Sequence, residues 1–164
     1  SVERISEQLN VTKGSFYHHN DAKNDLVVAC FDRTFAIMRR AQSTAMIEPG
    51  TWWEKLSAAA ATLAEYQLSE RGPLLRTSAL SALPEQIRYS MVEASNRVSG
   101  RFAGMISDGI AEGTIRPVDT FIAAQMMNAT LNASSAIATM LPGVTQGDAA
   151  ELYAKPILTG LFAK

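Results

Sequence analysis

The chain has 164 residues, of which 47% are hydrophobic and 19% charged, and its net charge is −1. A chain of this length and composition can bury the core of a globular protein, and it is neither disordered nor a polycation that binds nucleic acid by charge alone. No apolar run approaches the about 20 residues of a membrane span. The single cysteine, Cys30, excludes an internal disulfide framework, so we expect a cytoplasmic protein.

Three short helices are predicted at the start of the chain. Val2, Ile5 and Leu9 lie three and four residues apart, which aligns them on one face of the first helix. Thr12 is a suitable N-cap for a second helix over about 13–19. The sequence "NDAKND" then supplies a cap at position 20 or 21 for a third helix of about 20 residues.

Further helices follow in the middle of the chain. "EPG" at 48–50 ends the third helix, and an alanine-rich helix is predicted over 51–69. The residues "RGPL" at 71–74 are predicted to start another. A long helix is predicted over about 85–112, with Gly113 as the left-handed residue that ends it.

The last third of the chain contains two predicted helices. Asp119 or Thr120 caps a nearly uncharged helix over 121–141. A final helix fills about 147–163 and is kinked at Pro156, because proline removes a helix hydrogen bond. No segment has the alternation of a strand, so the predicted fold class is all-α.

Residues 5–26, "ISEQLNVTKGSFYHHNDAKNDL", resemble the DNA-binding signature of TetR-type transcriptional regulators. Two helices joined by a tight turn form the helix-turn-helix pattern of such proteins. The resemblance implies a helix-turn-helix DNA-binding head over 1–40 and a helical-bundle domain for ligand binding and dimerisation over 41–164. The matching positions are Ile5, Val11, Thr12, Gly14, Phe16, Tyr17, His19, Lys23 and Leu26.

The second helix of this signature is the predicted recognition helix. Small residues near its start allow close approach to the duplex, and its first backbone N–H groups can meet phosphate. Ser15 and His18 are the candidates for reaching base edges in the major groove. The resemblance implies phosphate contacts for Tyr17 and Lys23. The predicted DNA-contacting residues are Thr12, Lys13, Gly14, Ser15, Tyr17, His18 and Lys23.

The sequence departs from the family pattern at two points. Asn20 stands where the family usually has a phenylalanine that fills the base of the three-helix head, and losing that burial costs about 2–3 kcal/mol. Phe16 can fill part of the space, and Asn20 can cap a helix. The family also has a helix before the first one predicted here, and we expect one ahead of Ser1, which would make the head over 1–40 incomplete.

Aromatic and methionine side chains are spread over the helices of the second domain. Ordinary core packing accounts for most of them, but methionine adapts its shape, and such an interior suits a pocket for apolar ligands. Tyr66, Gln125, Asn128 and Asn132 are possible polar anchors. The predicted ligand-binding residues are Trp52, Trp53, Tyr66, Met91, Phe102, Met105, Met127 and Asn128.

The helix over 121–141 is nearly free of charge on every face. Such a helix needs either a central position or a partner chain. The resemblance implies a two-fold homodimer formed by this helix and the last one, and therefore symmetric DNA half-sites. The predicted dimerisation residues are Met126, Ala129, Ala133, Ile137, Leu152, Ile157 and Leu161.

Enzymatic activity is not predicted. Both histidines, His18 and His19, and the only cysteine precede residue 41, so neither a typical zinc site nor a histidine-based triad can be built in the second domain. The remaining carboxylates pair with no base or second carboxylate on a shared face. We expect no metal and no cofactor.

The predicted function is a ligand-responsive transcriptional regulator, a repressor that binds a palindromic operator on double-stranded DNA as a homodimer and is released by a small apolar effector. The alternative is a helical small-molecule-binding or dimerisation partner that does not bind DNA because its head is degraded, as Asn20 suggests. DNA affinity that falls steeply with salt would distinguish the two.

Overall fold

The computed structural model describes residues 20–140 together with 143, 145, 148, 159 and 160. The predicted all-α class is confirmed, because the described residues contain helices and no strand. None of the described helices is long and apolar enough to cross a lipid bilayer. The helices are α1 (Asn20–Ile47), α2 (Trp52–Leu68), a 3₁₀-helix (Thr77–Ala82), α3 (Glu85–Glu112) and α4 (Thr120–Met140).

The helix ends follow from local capping. Thr51 accepts a hydrogen bond from the Glu54 backbone N–H, and the Glu54 carboxylate accepts one from the Thr51 N–H, which forms a reciprocal capping box before α2. Gly113 ends α3 at φ 86°, in the left-handed conformation that glycine adopts without strain. Asp119 accepts from the Ile122 N–H at 2.9 Å before α4. The predicted helices over 51–69, 85–112 and 121–141 are confirmed.

Two predictions about the first half of the chain need revision. The third predicted helix, α1, is longer than expected, with 28 residues, and it runs unbroken through position 40. The prediction of a helix starting at 71–74 is wrong. There the backbone N–H groups bond side chains of other helices: Leu74 donates to Gln67 Oε1 at 2.9 Å and Leu75 to Thr34 Oγ1 at 3.1 Å.

The core is built around α2, which packs against α1, α3 and α4. Its buried residues recur at the helical period, so they form one continuous stripe. Half of the stripe is alanine, which lets the neighbouring helices approach closely. The buried residues of α2 are Leu56, Ala59, Ala60, Leu63, Ala64 and Gln67.

The nearly uncharged helix α4 is not central. One of its faces is buried in the core, through residues such as Ala124 and Met127, which are fully inaccessible to solvent. The opposite face exposes Phe121, Ile122 and Met126, with 45%, 58% and 49% of their surface accessible. The helix therefore does not have the fully central position that was one of the two possibilities for an uncharged helix.

Replacing Thr51 with alanine is expected to lower the free energy of unfolding by about 1 kcal/mol, because the N-cap side chain that satisfies an α2 backbone N–H is lost. Urea denaturation at pH 7 measures this change. Thr62→Ala is the matched control, because the Thr62 hydroxyl bonds only the Ala58 carbonyl of its own helix. A Thr51→Ala protein as stable as the Thr62→Ala protein would contradict the capping role.

The same capping box makes stability depend on pH. Hydrogen bonds from the Thr51 backbone N–H and hydroxyl hold the pKa of Glu54 below its ordinary value of 4.5. A lowered pKa stabilises the fold above pH 4.5, and the contribution is lost as the pH falls through the lower folded-state value. The difference in the free energy of unfolding between the parent protein and Thr51→Ala should therefore become smaller as the pH is lowered below 4.5.

Candidate functional site

A cavity of about 80 Å³ lies between α1, α3 and α4, beside the 3₁₀-helix. Each α-helix contributes residues spaced three or four apart, so one face of each helix forms one wall. The lining residues are Phe31, Thr34, Phe35 and Met38 from α1, Ser95, Val98 and Ser99 from α3, Gln125, Asn128, Ala129 and Asn132 from α4, and Leu75 and Thr77 from the segment between α2 and α3.

The α1 wall of the cavity is apolar except for Thr34. The rings of Phe31 and Phe35 stack with centroids 5.8 Å apart and planes inclined by 25°, and both side chains are buried. Met38 extends this surface by one turn. Because methionine can change rotamer at little cost, this wall can adapt to ligands of different shapes.

The opposite wall, from α3 and α4, carries the polar groups. Asn128 Nδ2 donates a hydrogen bond to Ser99 Oγ at 3.1 Å. Asn128 Oδ1 is buried and accepts no hydrogen bond from any residue in the described part of the chain. A buried carbonyl oxygen without a donor costs about 1–3 kcal/mol, so a ligand that donates a hydrogen bond to this atom would recover that cost.

Two other polar residues of the lining are already engaged. The Thr34 hydroxyl donates to the Cys30 carbonyl at 2.9 Å and accepts from the Leu75 N–H. Asn132 Oδ1 accepts from Gln67 Nε2 at 3.0 Å. These groups hold the walls together, and Asn128 Oδ1 is the buried polar atom of the lining that has no hydrogen-bond partner within the described residues.

Among the described residues that line the cavity, none has an ionisable side chain. An ion placed there would lose its hydration with no opposite charge to replace it, so the site suits a neutral molecule. Within the part of the chain that the structure describes, no three His, Cys, Asp or Glu side chains come together as a possible metal site. The arrangement can bind a small uncharged ligand through apolar contact and one hydrogen bond.

Among the residues predicted from sequence to bind ligand, Asn128 lines this cavity, as do two of the other suggested polar anchors, Gln125 and Asn132. Phe102, Met105 and Met127 are buried among the residues of the main core. A ligand in the cavity would contact these three only if the core rearranged.

The other predicted ligand-binding residues lie away from the cavity lining. Trp52 and Trp53 begin α2, and the Trp52 N–H donates to the Glu112 carboxylate at 2.8 Å. Tyr66 lies in a separate groove between α1 and α2. Met91 packs against the smaller apolar cluster below the 3₁₀-helix.

The predicted DNA and dimer contacts are described only in part. Lys23 is exposed in the first turn of α1, whereas the other six predicted DNA-contacting residues lie outside the described residues. On α4, Met126 and Ala129 are exposed, Ala133 is half-buried, and Ile137 belongs to the helix. Three predicted dimer residues lie outside the described part of the chain, namely Leu152, Ile157 and Leu161.

Several lining residues were not among the sequence-based candidates. Phe31 and Thr34 precede the predicted domain boundary at residue 40 and so lie outside the predicted ligand-binding domain. Ser95 and Ser99 form an i, i+4 pair of small polar residues on α3. Such a pair facing Asn128 is a signal that could have located the polar wall.

Comparisons with known proteins were consistent with this architecture. A family model described as "Tetracyclin repressor-like, C-terminal domain" matches residues 49–136. No functionally curated protein matches the chain.

Solved structures share the fold at low sequence identity. A bacterial regulatory protein in the tetR family from Rhodococcus RHA1 is 14% identical with a TM-score of 0.74, and the alignment covers 100% of this chain and 87% of that one. The TetR family transcriptional regulator PfmR from Thermus thermophilus is 21% identical, with a TM-score of 0.74 and coverage of 98% and 88%. AibR in complex with isovaleryl coenzyme A and operator DNA is 17% identical, with a TM-score of 0.71 and coverage of 99% and 86%.

Replacing Gln67 with leucine is expected to lower the free energy of unfolding by about 2–4 kcal/mol, because both ends of its buried amide are bonded and the change leaves the Leu74 N–H and Asn132 Oδ1 unpaired. Asn128→Leu is the matched control. It also removes a buried amide, but one whose oxygen has no partner, so its cost should be clearly smaller. Equal losses in chemical denaturation would contradict the assignment of Asn128 as the unsatisfied group.

Proposed function

The chain belongs to the tetracyclin repressor-like family, and from this premise we propose that it is a ligand-responsive transcriptional repressor. In this proposal it binds a palindromic operator as a homodimer and is released by a small apolar effector. The observation that carries the proposal is the uncharged cavity whose polar wall leaves Asn128 Oδ1 without a hydrogen-bond donor. The AibR complex with isovaleryl coenzyme A and operator DNA is a precedent for both kinds of ligand on this fold.

The effector that suits the cavity is a neutral molecule with an apolar body and one hydrogen-bond donor. The apolar body would lie against Phe31, Phe35 and Met38, and the donor would reach Asn128. The volume of about 80 Å³ is below the roughly 150 Å³ of a cavity that holds benzene. Effector binding therefore requires the cavity to widen, and its walls belong to three different helices.

The helix α1 supplies the path from effector to DNA. Phe31 lies eight residues after Lys23 in this one unbroken helix, which is about 12 Å along the axis. Widening the cavity displaces the wall formed by α1, and the displacement carries Lys23 and the head with it. The effector shifts the dimer toward a state with wrongly spaced recognition helices only if it binds that state more tightly.

The DNA interface in this proposal is the recognition helix with its two phosphate-contacting residues. Thr12, Lys13, Gly14, Ser15 and His18 face the duplex, and the assignment rests on the signature in the sequence. Tyr17 and Lys23 contact phosphate. The exposure of Lys23 in the first turn of α1 supports this role, because a cation there lies at the unfavourable positive end of the helix dipole unless an anion approaches.

The homodimer in this proposal uses the exposed apolar face of α4. Phe121, Ile122 and Met126 are large apolar side chains exposed on one face of α4, a surface that a second copy of the chain could cover. A two-fold axis beside α4 would bury this face against its copy and place two DNA-binding heads on one side of the dimer. The described segments to residue 140 supply only part of such an interface.

The DNA-binding prediction concerns the full gene product and the DNA that flanks its gene. Tyr17→Ala with Lys23→Ala is expected to weaken operator binding at least about tenfold and to lower the salt slope by about 2, one for each lysine of the dimer. Fluorescence anisotropy at several salt concentrations measures both. Lys55→Ala is the control, since its ammonium lies 4.9 Å from the Trp52 ring in the body of the protein.

Three results would each contradict a part of the regulator proposal. Unchanged affinity of the Tyr17 and Lys23 double variant would remove the proposed interface. The absence of specific, salt-sensitive binding to any fragment would favour the alternative of a partner protein whose head no longer binds DNA. A molecule that binds the cavity can be identified because it raises the melting temperature of the protein. If the operator affinity is the same with and without this molecule, release by an effector is excluded.

The dimer prediction is tested on α4. Met126→Glu places a charge in the exposed apolar face and is expected to convert the dimer to a monomer, because burying an unpaired carboxylate is costly. Sedimentation equilibrium measures the mass. Tyr89→Glu is the control, since Tyr89 is a large exposed side chain, 68% accessible, on the different helix α3. Loss of the dimer in both variants, or in neither, would contradict the assigned face.

A further inference from the structure

A second concave site lies on the other side of α1. It is an open groove of about 640 Å³ between α1 and α2, and its lining faces away from the cavity because its α1 residues lie roughly half a turn from Phe31 and Phe35. The groove is lined by Arg33, Ala36, Ile37, Arg40, Ala41 and Thr44 from α1, Thr62 and Tyr66 from α2, and Arg71.

The guanidinium group of Arg33 is held in place by neutral partners. Its Nη2 donates to the Tyr66 hydroxyl at 2.7 Å and to the Arg71 carbonyl at 2.7 Å. Its central carbon lies 5.9 Å from the centroid of the Tyr66 ring. These contacts orient the group without neutralising it, and the N–H groups on Nε and Nη1 make no hydrogen bond within the described residues, which leaves them available to a ligand.

The backbone of the following turn keeps Arg71 beside Arg33. The Gly72 N–H donates to the Ser69 carbonyl at 2.9 Å, which folds the chain back over the end of α2. A Cβ on Gly72 would lie 2.7 Å from the Gln67 carbonyl oxygen, so only glycine allows this close approach. The third arginine, Arg40, lies two turns after Arg33 on the same face of α1.

The groove concentrates positive charge in a chain whose net charge is −1. Three guanidinium groups line it and no carboxylate does. Among the residues that the structure describes, no Asp or Glu side chain forms an ion pair with Arg33, Arg40 or Arg71, that is, no carboxylate oxygen lies within 4.0 Å of their nitrogen atoms. A concave surface with charges of one sign and apolar walls focuses the field and attracts an anion.

We propose that this groove binds a small molecule that carries a diphosphate group. Guanidinium groups match phosphate oxygens with paired hydrogen bonds. Arg33, Arg40 and Arg71 together supply three guanidinium groups, which is enough paired donors for an anion that carries two phosphates and an organic part. The volume falls within the roughly 300–1,000 Å³ of ligand pockets, and Ala36, Ile37 and Ala41 provide an apolar surface for the organic part.

The position of the groove between two helices of the body argues for a small molecule rather than DNA. Arg33 lies about 15 Å along α1 from Lys23, which belongs to the proposed DNA interface. The groove is bounded by two helices of the body, whereas a duplex needs a surface open along its length. Binding of the anion depends on neither the effector cavity nor the operator, so it can be measured without them.

Isothermal titration calorimetry of the intact protein with inorganic pyrophosphate and with adenosine 5′-diphosphate, in the absence of DNA, tests the proposal. We expect one site per chain for both probes. Arg40→Gln and Arg71→Gln should each weaken binding at least about tenfold, because each removes a charged donor pair. Arg33→Lys should give an intermediate loss, since it keeps the charge but not the fork. Arg97→Gln is the control, because Arg97 lies on α3 near Glu93 and outside the groove.

The results separate this proposal from the regulator proposal. Arg40 makes no hydrogen bond or ion pair within the described residues, so Arg40→Gln should fold normally and remains informative if an Arg33 variant does not. Absence of binding by both probes, or equal binding by Arg40→Gln, Arg71→Gln and Arg97→Gln, would overturn it. If the arginine variants lose affinity for DNA but bind both probes as the parent does, the diphosphate proposal would also be overturned, because the groove would then contact the DNA backbone.

Discussion

The close packing of three helices on the alanine-rich stripe of α2 is the constraint on which the rest of the structure depends. Ala59, Ala60 and Ala64 are fully buried and carry no side chain beyond Cβ, so α1, α3 and α4 can each approach this helix. The stripe ends at Gln67, whose amide bonds both α4 and the turn that follows α2. The segment that follows α2 also contributes Leu75 to the lining of the cavity and Arg71 to the lining of the groove. A larger residue in the stripe would separate the helices that form both sites.

The helix α1 contributes to both sites, and its two faces differ in chemical character. On one side it presents Phe31, Phe35 and Met38 to an uncharged cavity, and on the other it presents Arg33 and Arg40 to an open groove. A neutral ligand and an anion could therefore occupy the protein at once and both contact one helix. Since the proposed DNA interface includes the first turn of that helix, either ligand could bias the position of the head if it prefers one state of the dimer.

Helix positions could be predicted well where the signal was local. The boundaries of α2, α3 and α4 follow from capping by Thr51, Gly113 and Asp119, which neighbouring residues alone determine. The prediction of a helix that starts at 71–74 is wrong because the backbone N–H groups of Leu74 and Leu75 bond the side chains of Gln67 and Thr34. These partners belong to other helices, so no local rule reveals them. Gln125, Asn128 and Asn132 were anticipated as polar anchors, whereas the apolar lining could not be distinguished from core, because aromatic and methionine residues of a core and of a pocket look alike in sequence.

The sequence by itself determined the all-α class, the capped helix ends and the family signature near the start, because these depend on residues within one or two turns of each other. Only the tertiary structure decided which faces meet. It left Asn128 Oδ1 without a donor, although Asn132 is bonded one turn later. It also brought Arg33, Arg40 and Arg71 to one groove from two separate segments. The physical reason is that burial and charge concentration are properties of the packed helices together, and no single helix carries them.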